Sequence, residues 1–104
     1  MIRHCVLLRL RPDASDTELA TLMQALEKVV DRIPGCGAFC HGPNRDFEGK
    51  SPDHPYGFTL DAQDATTLAA YADDPEHRAL GAQLVALCQG AADGIVVYDI
   101  DVAG

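Results

Sequence analysis

Three observations in this 104-residue chain predict an α+β fold: one four-stranded antiparallel sheet with its helices on one face. Strand-like alternation opens and closes the sequence. A helix with an unbroken apolar stripe follows the first strand. The remaining segments read strand, strand, helix pair, strand. That order is the split β-α-β arrangement of the ferredoxin-like class, in which the helices pack on one side of the sheet.

Residues 2–11 place Ile2, His4, Val6, Leu8 and Leu10 on one strand face and Arg3, Cys5, Leu7, Arg9 and Arg11 on the other, and Pro12 ends the strand. Ser15-Asp-Thr-Glu18 has the form of a capping box, with serine and glutamate each satisfying an orphan N–H. Leu19, Leu22, Met23, Leu26, Val29, Val30 and Ile33 then recur at helical spacing until Pro34-Gly35. A second strand over 36–42 centres on Phe39, and residues 43–55 form a long loop with three prolines. A third strand runs from Tyr56 to Asp61. A short helix follows from about Asp64 to Ala72, and a longer one from Pro75 to about Ala91 carries Leu80, Leu84, Leu87 and Cys88. The last strand spans Ile95 to Val102. Both of its faces are apolar, whereas a sheet with one wet face alternates apolar and polar residues. A second copy of the same sheet is the expected cover, so a homodimer is predicted.

Composition narrows the function classes. The charge is 8 − 16 = −8, and residues 53–104 hold one base, Arg78, against nine acids. Neither half carries the clustered Lys and Arg that neutralise phosphates, so nucleic acid and anionic membrane surfaces are excluded as expected partners. The opening MIRHCVLLRLRP lacks the small-residue cleavage site of a signal peptide, and no segment approaches the roughly 18 apolar residues of a membrane span. Cys5, Cys36, Cys40 and Cys88 show no CxxC spacing; residues four apart on a strand sit roughly 13 Å from each other. Buried free thiols, a cytoplasmic location, and no metal or cofactor are expected.

The candidate chemistry lies in Tyr71-Ala-Asp-Asp-Pro-Glu-His77. An acid followed by proline is a strong helix start. His77 precedes Leu80 by one helical step and Tyr71 follows Leu68 by one, so both point inward, as His4 does on the apolar face of the first strand. Leaving such groups buried and unpaired costs about 1–3 kcal/mol each, so they are either satisfied core residues or the lining of a pocket. In the pocket reading His4, Val6, Leu8, Tyr56 and Phe58 line the cleft. The helix N-terminus disfavours a charged His77, whereas Asp73, Asp74 and Glu76 favour it. His41, His54 and the acids of the second half read as solvated surface, and Tyr98 as interface packing.

The chain resembles the stress-responsive dimeric α/β barrel (Dabb) family. The matching pieces are Ile2-Arg-His-Cys-Val-Leu-Leu-Arg-Leu-Arg-Pro12, Ile33-Pro-Gly35, Phe39 with Gly42-Pro-Asn44, Tyr56-Gly-Phe58, Tyr71 through His77, and Val96-Val-Tyr-Asp99. The resemblance implies protomers whose sheets pack face to face as a dimeric barrel, Ile95, Val97 and Asp99 facing the helices, and Val96, Tyr98, Ile100 and Val102 facing the partner. One branch resembles a polyketide cyclase, which implies Tyr71 and His77 as catalytic residues and Asp99 as the group orienting the histidine. This chain departs from the pattern at Tyr56, where histidine is common, and at Ile100, where tyrosine often follows the aspartate, so that cyclase's substrate does not carry over.

Three readings follow. One is a dimeric stress-type protein binding a small organic molecule. Another is a cofactor-free enzyme performing aldol-type proton transfer with His77 as base; a quinol-type monooxygenase ranks below it because the chain has no tryptophan and few aromatics. The third is a purely structural stress-stability protein.

Overall fold

Strand β1 (Ile2–Leu8) lies inside the sheet, flanked by β3 (Tyr56–Ala62) and β4 (Ile95–Asp101), and β2 (Cys36–Pro43) pairs with β3 at the far edge. The order β2-β3-β1-β4 with antiparallel pairing throughout is the predicted ferredoxin-like topology. The computed structural model describes residues 1–103. Helices α1 (Asp16–Arg32), α2 (Ala65–Asp73) and α3 (Pro75–Leu87) share one face of the sheet. Val6, Leu8, Phe58 and Leu60 meet the α1 stripe of Leu19, Leu22, Met23, Leu26, Val29 and Val30 there, with Leu80, Leu84 and Leu87 of α3.

Local chemistry sets the helix ends. The Ser15 hydroxyl accepts the Glu18 N–H at 3.1 Å, which is the serine half of the expected capping box. Past α1, Gly35 turns the chain at φ +87°. Asp64 caps α2 by accepting the Thr67 N–H at 2.8 Å. Helix α3 stops at Leu87, short of the predicted Ala91, because the chain leaving β1 takes over its backbone groups. Arg11 N–H donates to Leu87 O at 2.9 Å and Gln89 N–H to Arg9 O at 2.7 Å. The same pairing ends β1 at Leu8 and leaves Leu10 in an isolated bridge to Cys88.

Strand β2 carries a bulge. Ala38 adopts φ 54°, and the register skips from Gly37–Asp61 to Cys40–Thr59, so Ala38 and Phe39 together oppose one residue. The bulge turns Phe39 onto Phe58 (centroids 5.7 Å apart) and sends Cys40 to the face opposite Cys36. All four cysteines are free; Cys88 is buried as expected, but Cys40 is exposed. The loop after β2 is tied down by side chains. Asp46 accepts the Lys50 and Ser51 N–H groups, both at 2.9 Å, and Asn44 donates to Ser51 Oγ and His54 O.

One residue joins α1, α2 and α3. The Asp74 N–H donates to Tyr71 O at the end of α2, and its carboxylate accepts the Glu76 and His77 N–H groups, both at 3.0 Å, at the start of α3. Arg32, in the last turn of α1, closes a fork on both carboxylate oxygens at 2.8 and 2.9 Å. The guanidinium, with the His77 N–H next, holds the Asp74 pKa down to about 2, from 3.8. A carboxylate depressed in this way stabilises the fold above its unfolded value and loses that contribution as pH falls through its folded one. Asp74→Ala is therefore expected to lower Tm at neutral pH by roughly 4–8 °C. It should also flatten the fall in wild-type Tm between pH 4 and pH 2, as followed by circular dichroism; an unchanged acid limb would show that other carboxylates carry it.

Candidate functional site

The Asp74 cap places Tyr71 on the last turn of α2 and His77 on the first turn of α3. Although six positions separate them in sequence, their rings stack with centroids 4.1 Å apart at 40°. On the sheet side, β1 presents His4, whose ring meets the edge of Tyr71 at 5.8 Å and 67°. Antiparallel register puts Asp99 of β4 directly beside His4, and His4 Nδ1–H donates to Asp99 Oδ1 at 2.6 Å. These four residues line a cleft of about 330 Å³, completed by Ala65, Leu68, Ala69 and Ala72 of α2. The alanines keep the α2 wall low, and the helical layer leaves β4 largely bare, with Val97 half exposed on the helix side.

The two imidazoles share a tautomer. A carboxylate and a backbone carbonyl can only accept, so His4 holds its Nδ1 proton toward Asp99 and His77 holds its own toward Ala72 O at 3.2 Å. His77 is left with Nε2 as its basic nitrogen. Burial pushes the His77 pKa down from 6.5, and the Ala72 carbonyl offsets this in part; His4 adds to the depression and Asp74 opposes it. The neutral base is thus the resting form at neutral pH. Tyr71 is only 1% exposed, and its hydroxyl has no hydrogen-bond partner among the described residues. Burial, with Cys36 and Asp74 adding to it, pushes the phenol pKa upward, so it remains a proton donor across the physiological range.

Sequence reasoning brought Tyr71, His77, Asp99 and His4 to this region, and the structure gathers all four around one cleft. The role read for Asp99 changes: it holds His4, not His77, because the strand register makes those two direct neighbours. The other pocket residues do not line this cleft. Val6, Leu8 and Phe58 are sealed in the core at 5%, 0% and 5% exposure. Tyr56 lies at the opposite end of β3, where its hydroxyl meets His41 Nδ1 at 2.6 Å. Alternation identified the correct face of the sheet but not which part of that face the helices leave uncovered. Arg32, which locks the Asp74 cap, went unread; a basic residue in a helix's last turn gave no sign of its distant partner. Among the described residues no group of three or more His, Cys, Asp or Glu side chains is arranged to hold a metal ion. No helix among the described residues is long and apolar enough to cross a membrane.

Solved structures share the fold. A dimeric ferredoxin-like protein of unknown function from Jannaschia sp. CCS1 is 40% identical, with a TM-score of 0.91 over 97% of this chain and 98% of that one. A Dabb family protein with a ferredoxin-like fold from Mesorhizobium loti MAFF303099 is 21% identical (TM-score 0.74, 99% of this chain, 97% of that one). A hydroxynitrile lyase from Passiflora edulis is 12% identical (TM-score 0.81, 98% and 93%), a likeness of fold alone. No curated protein matches the sequence. The stress responsive A/B barrel domain matches residues 2–102, and with this fold and the Jannaschia relative the chain belongs to the Dabb family.

Proposed function

We propose that the chain is a homodimer whose cleft binds a small, uncharged organic molecule, and that the chemistry available there is cofactor-free proton transfer. One observation carries the reading: two imidazoles, each with Nδ1 tied to an acceptor, share one cleft with Tyr71, whose buried hydroxyl has no partner among the described residues. The volume of about 330 Å³ lies at the small end of ligand cavities, which run from about 300 to 1,000 Å³. The lining offers no lysine or arginine to pair with an anion.

In this reading His77 Nε2 takes the proton from an acidic C–H of the ligand. The proton returns from the resulting imidazolium, so the protein ends unchanged. Tyr71 donates to the oxygen on which negative charge develops, and its high pKa keeps the proton in place between turnovers. Asp99 fixes the orientation of the His4 ring at the cleft. Dimer formation is supported by the face turned away from the helices. Cys5, Leu7, Val96, Tyr98 and Ile100 alternate onto it, with Tyr98 and Ile100 half exposed. The 40%-identical relative is dimeric, and sedimentation equilibrium of this chain is expected to give twice the 11.1 kDa chain mass.

Proton transfer is tested by solvent-deuterium exchange into a panel of small β-dicarbonyl compounds, followed by NMR. The wild type should accelerate exchange, and His77→Ala should reduce the acceleration about 10²–10⁴-fold with an unchanged circular dichroism spectrum. The acid limb of the rate should fall below pH 6.5, since burial depresses His77 and deprotonated imidazole is the active form. Histidine ring shifts that respond to the panel without exchange would assign binding and remove the catalytic reading. Tyr71→Phe separates function from packing. It deletes a buried hydroxyl that has no partner, so Tm should hold or rise while binding or exchange is lost. A lowered Tm with function intact would make Tyr71 a core residue.

A further inference from the structure

Gly42 stands next to last in β2, still paired in the ladder, and no neighbour in its own chain crowds the position. Its φ lies outside the left-handed region, and a Cβ built on it meets nothing within 4 Å. Glycine inside a strand gives up side-chain packing and backbone entropy, and in such positions it marks the close approach of another group. Its register partner is Gly57, so two side chains are missing next to each other on the face turned away from the helices. At Gly57 the protomer does supply a reason: a Cβ would lie 2.8 Å from the Val6 carbonyl oxygen and 2.9 Å from Leu7 Cδ2. At Gly42 the protomer supplies no such contact.

The paired glycines leave a hollow of about 500 Å³ in the sheet surface, walled by Cys5, Leu7, Cys40, Thr59 and Tyr98. It is deepest over the paired glycines of β2 and β3 and runs across β1 to the flank of Tyr98, which with Ile100 projects half exposed from β4 at the other edge of the sheet. A two-fold axis lying between two such sheets and parallel to their strands exchanges the edges, bringing β4 of one copy over β2 of the other. Each projecting edge then meets a hollow, twice per dimer, as an isologous interface requires.

We infer that the hollow over Gly42 and Gly57 receives the Tyr98 side chain of a second copy of this chain. The inference rests on the dimer reading above and names the residues that set its geometry. Tyrosine suits the position, since a large, amphipathic ring seated in a desolvated pocket is a frequent anchor of protein interfaces.

Sedimentation equilibrium and size-exclusion chromatography with light scattering, on the full chain, test it. Gly42→Val and Tyr98→Ala should each raise the dimer dissociation constant by about tenfold or more. In the double variant the valine occupies space the ring has vacated, so the combined loss should fall well short of the sum. Gly37→Val is the control. Gly37 lies on the same strand with equally open space at its Cβ but outside the hollow, and its substitution should leave dimerisation unchanged. If Gly42→Val loses its circular dichroism signal, Gly42→Ala is read against Tyr98→Ala in the same cycle. A monomeric wild type would remove the dimer reading itself. A dimeric wild type with Gly42→Val equally dimeric would overturn only the seating of Tyr98. A small molecule retained on the wild-type dimer in native mass spectrometry, and lost from a Gly42→Val dimer, would also overturn it by giving the hollow to a ligand.

Discussion

The carboxylate of Asp74 is the constraint on which the candidate site depends. It starts one helix and is gripped by a guanidinium from a second, while the N–H of the same residue ends a third. Fixing the α2–α3 corner at one residue holds two rings within stacking distance although they sit on different helices. Pro75 contributes by occupying the first helical position, where a missing N–H costs nothing and the restricted φ already suits the helix. A longer or looser connection would let the His77 ring drift from Tyr71, and the cleft would lose its shape.

The sheet supplies the other half of the site through register. His4 and Asp99 belong to strands separated by nearly the whole sequence, and antiparallel pairing makes them direct neighbours. The cleft stays open because the helical layer stops short of β4 and the α2 wall is built of small residues. Inside it, burial works in opposite directions on two groups: it keeps His77 deprotonated and Tyr71 protonated. A neutral base beside a neutral donor is the arrangement that the proposed proton transfer needs.

The opposite face of the sheet has a different design. It is largely apolar, projects Tyr98 and Ile100 from β4 and is hollowed between Tyr98 and the paired glycines of β2 and β3. The Arg3–Asp61 pair, with contacts of 2.9 and 3.2 Å, sits at one end of this face and limits how a second sheet can lie on it. A small protein with a helical layer on only one side of its sheet gains a second apolar layer by pairing with itself. In the proposed dimer the two faces divide the work, one building the cleft and the other the assembly.

Periodicity and end signals in the sequence determined the element order, the ferredoxin-like class and the inward direction of His4, Tyr71 and His77, because those properties depend on neighbours within a few residues. Family resemblance added Asp99. The sequence also marked the last strand as apolar on both faces, which is a property of alternation alone. Only the tertiary structure decided which histidine Asp99 holds, since that depends on register between strands 95 positions apart. It also decided that Val6, Leu8 and Phe58 are sealed beneath α1 while His4 remains at an opening, and that Arg32 reaches Asp74. The Ala38 bulge, which turns Phe39 inward and Cys40 outward, belongs to the same group. Local patterns tell which way a side chain points, but what it meets is set by the packing of segments that are distant along the chain.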